Sequence, residues 1–169
     1  MIKFSSKFKS KSGLSIDSSL KKLILTSKTK SKIGVLSSNN PTYKDGMNAA
    51  TVLATHVYGS VSRNIPKRDP LFQPFMENKQ KILQKWSELL NFYLKKQDKP
   101  NLQEAFKQSL NDISFFIVND IVKDTILKNG NGKWQALSEE TIKRKLGSQQ
   151  MLIDTGSLIN SINFELYDK

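Results

Sequence analysis

Helical and strand spacings of apolar residues alternate along this chain. In "SIDSSLKKLILTSK" Ile16, Leu20, Leu23 and Ile24 recur on one helical face, with Ser15 or Asp17 available as N-cap and Lys28 at the cation-favouring end. "KIGVLSS" brings Ile33, Val35 and Leu36 into a compact run that suits a strand. "SSNNPTYKDG" follows as a loop of turn formers. "MNAATVLATHVYG" places Ala50, Leu53, Ala54 and Val57 on one face, which predicts a short helix ended by Gly59. "SVSRNIPKRDPLFQP", with three prolines and three basic side chains, predicts an extended, exposed loop.

Two long helices come next. From Phe75 the apolar positions Ile82, Leu83, Trp86, Leu89, Leu90 and Tyr93 repeat at three and four, and Lys95-Lys96 close the helix before Pro100. The second opens on Asn101, with Glu104 three residues on as in a capping box, and runs through Phe106, Leu110, Ile113, Ile117 and Ile121 to Asn129-Gly130. The short polar connector makes the two antiparallel neighbours. "WQALSEETIKRKLG" carries signals for both ends of a helix: Ser138 as N-cap, Glu139 and Glu140 in the first turn, Leu137 stapled onto Ile142, and Lys143-Arg144-Lys145 before Gly147. In "MLIDTGSLINSI" Asp154 or Thr155 caps, Gly156 allows a tight entry, and Leu158, Ile159 and Ile162 return the chain to the core. "NSINFELY" alternates Ile162, Phe164 and Leu166 with polar partners, the pattern of a closing strand.

Charge divides the chain. Residues 1–32 hold nine lysines against Asp17 alone, whereas residues 33–169 hold eighteen Lys/Arg against fourteen acids. This separates a basic arm, residues 1–15, from a single domain over residues 16–169. A lysine-rich end meets nucleic acid, an acidic protein surface or anionic lipid, or stays a solvated arm. In the arm, Phe4 and Phe8 interleave with Lys3, Lys7 and Lys9, so stacking on single strands is conceivable. No zinc finger, RNP motif or helix-turn-helix accompanies them. The chain has no cysteine, which excludes disulfides and thiolate metal sites. It also lacks the apolar runs of a signal peptide or membrane span, so a soluble, non-secreted protein is expected.

Catalytic motifs are weak. The Asp154-Thr155-Gly156 triplet is like an aspartic-protease loop, but that chemistry needs a second carboxylate triplet, and none occurs. His56, the lone histidine, has no nucleophile motif beside it. "NGNGKW" lacks the upstream glycine and following Ser/Thr of a phosphate loop. Asp69, Glu77 and Lys79 are a loose likeness of a metal-nuclease triad, with Glu77 and Lys79 on different sides of one helix. A small hydrolase is therefore the weakest reading, and no cofactor or metal is expected.

Four segments together resemble the tailed-phage tail-completion and head-tail joining family, which includes tail terminators and minor tail proteins. They are "THVYGS", "IPKRDPLFQPF", "WQALSEETIKRK" and "LIDTGSLINSI", spanning about residues 33–164. In the family pattern an acidic residue is common where Val57 stands, and Asp69 is inserted between Arg68 and Pro70. The resemblance implies an α/β (α+β) subunit, a small mostly antiparallel sheet flanked by helices, that forms a homo-oligomeric ring, usually of six. Such a ring is a virion structural part, not an enzyme. It is built in the host cytoplasm, caps the tail tube and docks the head connector. On that basis Arg63, Lys67 and Arg68, with Lys3, Lys7 and Lys9 of the arm, are interface candidates. Trp134, Leu137, Ser138, Ile142, Asp154, Thr155, Gly156, Leu158 and Ile162 define the fold, and lysines facing the ring lumen would contact DNA phosphates. The alternative is a basic nucleic-acid-binding module.

Overall fold

Ser31, Ile33 and Val35 alternate with Lys30, Lys32 and Gly34, and this period of two sets the two faces of a strand. The computed structural model describes residues 2–3, 27–96, 101–145 and 147–168. In it a two-residue strand β1 (Ile2–Lys3) and two seven-residue strands, β2 (Thr29–Val35) and β3 (Ile162–Asp168), form an antiparallel sheet in the order β1-β2-β3. β2 and β3 pair from Thr29 opposite Asp168 to Val35 opposite Ile162. Ser31, Ile33 and Ile162 are buried on the core side. On the other face the Lys32 ammonium donates to Glu165 at 2.9 Å and stands 4.4 Å from the Tyr167 ring centre. The closing strand read from Ile162, Phe164 and Leu166 is thus present. The helix expected over residues 15–28 lies outside the described residues up to residue 26, and Ser27 and Lys28 lead straight into β2.

Helix α1 (Ala49–Tyr58) begins where the Asn48 side chain accepts the Thr51 amide at 2.9 Å, and it ends at Gly59. A single helix was expected from Phe75, but two occur, α2 (Phe72–Glu77) and α3 (Lys79–Lys95). Asp69 starts the first, because its carboxylate accepts the otherwise orphaned amides of Leu71 and Phe72 at 3.0 and 2.9 Å. Asn78 divides them: its side-chain amide donates to the Pro74 carbonyl at 2.9 Å while its backbone leaves the helical region.

Helix α4 (Leu102–Phe116) is capped by the Asn101 side chain, which accepts the amides of Gln103 and Glu104. It packs against α3. Lys81 lies 5.4 Å from the Phe116 ring, whereas Trp86 meets Phe106 and donates to Ser109 at 3.1 Å, so the helices run antiparallel. Beyond Phe116 the rod continues as a π-helical segment, Ile117–Lys123, and then as α5 (Asp124–Leu127). The sequence explains the widening. Ile113, Ile117 and Ile121 repeat every four residues, as do Ser114, Val118 and Val122, and all are buried. On an α-helix such a repeat drifts about 40° per step. Wider i→i+5 turns rotate it back and keep both rows on the core.

The rod ends at Asn129 and Gly130, both at positive φ, and Trp134 folds back over Gly130 into the core. Helices α6 (Glu139–Arg144) and α7 (Ser157–Ser161) follow. The architecture is α+β: a small antiparallel sheet with Ser31 bonded to Ser114 of α4, flanked by helices that include two long ones. Among the described residues no helix is long and apolar enough to cross a membrane.

Candidate functional site

Tyr58 ends α1, and Gly59, at φ 76°, turns the chain so tightly that a Cβ there would lie 3.1 Å from the Ile65 carbonyl oxygen and 3.2 Å from the Lys67 amide. Ser60 and Ile65 then exchange two backbone hydrogen bonds, each 2.8 Å, closing a small hairpin in which Asn64 takes a left-handed conformation. The stretch expected to be extended is therefore a closed turn. Val61 at its tip is 101% exposed and Tyr58 at its base 81%. Arg63 and Lys67 are also exposed, as expected of interface residues.

Arg68 is not. Only 4% of it is exposed, which corrects its assignment as an interface candidate on an exposed loop. Its Nε and Nη2 donate to the Gln135 carbonyl at 3.2 and 2.9 Å, and its amide donates to the His56 carbonyl at 2.7 Å. Burial lowers its pKa from the ordinary arginine value. Arg68 thus ties α1, the hairpin and the Trp134–Leu137 loop together. Arg68→Ala is expected to cost about 2–3 kcal/mol in urea unfolding, because the charge-assisted bonds to the Gln135 carbonyl and the packing of a buried side chain are both lost. Arg63→Ala and Lys67→Ala should stay within about 0.5 kcal/mol.

Between α1 and α6 lies a cavity of about 290 Å³ whose lining includes His56, Val52, Leu137, Thr141, Leu152 and Leu158. His56 Nδ1 is buried without a hydrogen-bond partner. Burial, and secondarily the charge of Arg68, lowers the His56 pKa to about 4, so the ring is neutral at pH 7. Ser138 caps α6 by accepting the Thr141 amide at 3.2 Å, as expected. The helix stops at Arg144, short of the expected run to Gly147. There the Lys145 ammonium turns inward to the carbonyls of Gln150 and Ile153. Burial lowers the Lys145 pKa, against the raising effect of Asp154.

Asp154 and Thr155 do not cap α7. Gly156 holds the N-cap position, left-handed at φ 83°, with no side-chain cap. A left-handed residue there turns the Asp154 carboxylate away from the helix, and it accepts the Gly147 amide at 3.0 Å, closing the loop on itself. Trp134, Leu158 and Ile162 are buried, while Leu137 and Ile142 are only half-buried. Lys3 pairs with Lys32 through the backbone of β1. Lys7 and Lys9 lie outside the described residues. Asp69 and Glu77, two members of the loose nuclease pattern, serve structure: Asp69 starts α2 and Glu77 pairs with Lys133 at 2.9 Å. Among the described residues no His/Cys/Asp/Glu group could hold a metal ion.

Sequence reasoning missed the roles of Arg68 and Asp69. The second had a local signal, since an Asp before Pro-Leu-Phe is a helix-start pattern. The first depends on a loop 67 residues away. Compared with known proteins, the chain matches no family model, no curated protein and no solved structure.

Proposed function

We propose that this protein is a structural subunit of a tailed-phage virion, one copy of a ring that completes or terminates the tail tube and joins it to the head connector. One observation carries the reading: the four segments that share the family pattern, two within residues 55–75 and two within residues 134–162, are bonded to one another. Arg68 of the second bonds His56 of the first and Gln135 of the third, and Lys145 of the third bonds Ile153 of the fourth. Such fixed geometry costs little entropy on docking, and ring symmetry multiplies each weak contact. In this reading the protein turns over no substrate and holds no cofactor. Its exposed face is the hairpin with Arg63 and Lys67, and lysines on the lumen side touch the phosphates of passing DNA.

The test is in vitro tail assembly. Purified protein added to growing tube should stop extension, and R63E/K67E should fail to do so while melting like wild type. Unimpeded tube growth with the wild-type protein would reject the reading. Salt-sensitive DNA binding without tube binding would support the alternative, a nucleic-acid-binding module, which draws on the nine lysines of residues 1–32.

A further inference from the structure

Strand β3, "INFELYD", carries no proline and no lysine, the residues that most often blunt the edge of a sheet. Its two acids are both engaged, Glu165 with the Lys32 ammonium at 2.9 Å and Asp168 with the Thr29 hydroxyl at 2.7 Å. β3 is the last strand of the sheet, and among the described residues only β2 pairs with it. The Phe164 amide shows which groups are left over: it donates to the Asn163 side-chain oxygen at 2.9 Å and so turns away from β2. Alternation along an antiparallel strand then sends the backbone N–H and C=O of Ile162, Phe164, Leu166 and Asp168 outward, and those of Asn163, Glu165 and Tyr167 to β2. Ile162 is fully buried, whereas Phe164 and Leu166 are half-buried and Asp168 is exposed. The open edge therefore runs from Phe164 to Asp168. Among the described residues the Leu166 amide and carbonyl bond to nothing.

We infer that this edge pairs antiparallel with the same edge of a second copy about a twofold axis, making one sheet continuous across two molecules. Such an edge needs a partner strand of matching length, and the opposite side of the sheet offers only the two residues of β1. A second copy supplies β3 itself. Charge selects the register. Setting Phe164 opposite Leu166 of the other copy would bring Glu165 against Glu165, like charges at the closer cross-strand spacing. A shift of two residues removes that clash: Leu166 meets its counterpart on the axis, Phe164 meets Asp168, and Glu165 meets Tyr167, whose hydroxyl can donate to the carboxylate. Leu166 lies on the core side, opposite Ser31, so the two half-buried leucines cover one another. A twofold contact closes at two copies, so the inference goes beyond the tail reading and does not rest on it.

Sedimentation equilibrium and amide hydrogen exchange of the purified full chain test it. Wild type should form dimers, and the Leu166 and Asp168 amides should exchange about tenfold or more slowly in the dimer than after dilution to single copies. Y167E sets two like-charged pairs across the axis and should weaken association about fivefold or more. Y167K meets Glu165 with a cation and should associate within about threefold of wild type. Circular dichroism and melting curves confirm that both variants are folded. A wild type that stays monomeric at every concentration overturns the inference, as does Y167E associating like wild type or a folded Y167K as weak as Y167E. So does any assembly in which the Leu166 amide exchanges as fast as in the single copy. A monomer whose Leu166 amide slows only when tube protein is added also overturns it, and gives the edge to that protein instead.

Discussion

Gly130→Ala is expected to destabilise the protein by about 2–4 kcal/mol, one of the largest effects of any single methyl group in this chain. Two costs combine. Gly130 sits at φ 70°, where an L side chain costs about 1 kcal/mol. A Cβ there would also lie 2.4 Å from two atoms of the Trp134 ring, and that ring is buried and not a flexible tip able to yield. Gly132→Ala supplies the control: Gly132 has a similar φ of 76°, but nothing lies within 4 Å of its would-be Cβ. It should show the backbone cost alone, about 1 kcal/mol. Denaturant unfolding followed by tryptophan fluorescence reads both variants. Equal midpoints for the two would mean that Trp134 does not pack over Gly130, and the rod would then need another account of how its end meets the core.

How much of this was legible in the sequence divides along one line, between local chemistry and distant contact. Asn101 and Ser138 announced their helices because a cap acts on amides two or three residues away. Gly59 and Asn129-Gly130 announced helix ends for the same reason. Asn78 broke a helix that apolar spacing alone carried through, since spacing reports which side is buried and not whether each backbone bond is made. The π-helical turns escaped notice because a few i+4 steps read as an ordinary helix face, and the drift that wider turns correct shows only when the rows Ile113-Ile117-Ile121 and Ser114-Val118-Val122 are followed together. Arg68 misled most. Its neighbours Pro66, Lys67 and Pro70 describe an exposed loop, and it is the distant carbonyls of Gln135 and Ala136 that make burial tolerable for a guanidinium. The candidate site was therefore legible as separate segments, and the bond that joins its two halves, Arg68 to Gln135, was not, because its partners lie 67 residues apart.

Acid is expected to unfold this protein earlier than its carboxylates alone would require, and His56 is the reason. In the unfolded chain its imidazole takes up a proton near the ordinary value of 6.5, whereas in the fold it does so only near pH 4. Between those values the unfolded state binds more protons, so stability is intact above about pH 7 and falls as pH drops through the window. The full separation corresponds to about 3 kcal/mol, and partial contact of the ring with solvent reduces it toward 2. Burial is the main cause, and the charge of Arg68 adds to it by opposing the charged ring. Glu77 adds to acid lability only at lower pH, because its bonds to Lys133 and Gln73 depress its pKa below the usual 4.5. The interval from pH 6.5 to 5 therefore belongs to His56. Urea unfolding across it should show midpoints that fall with pH in the wild type and stay nearly level in His56→Gln. A wild type as flat as the variant would mean that the ring nitrogen is not sequestered from water.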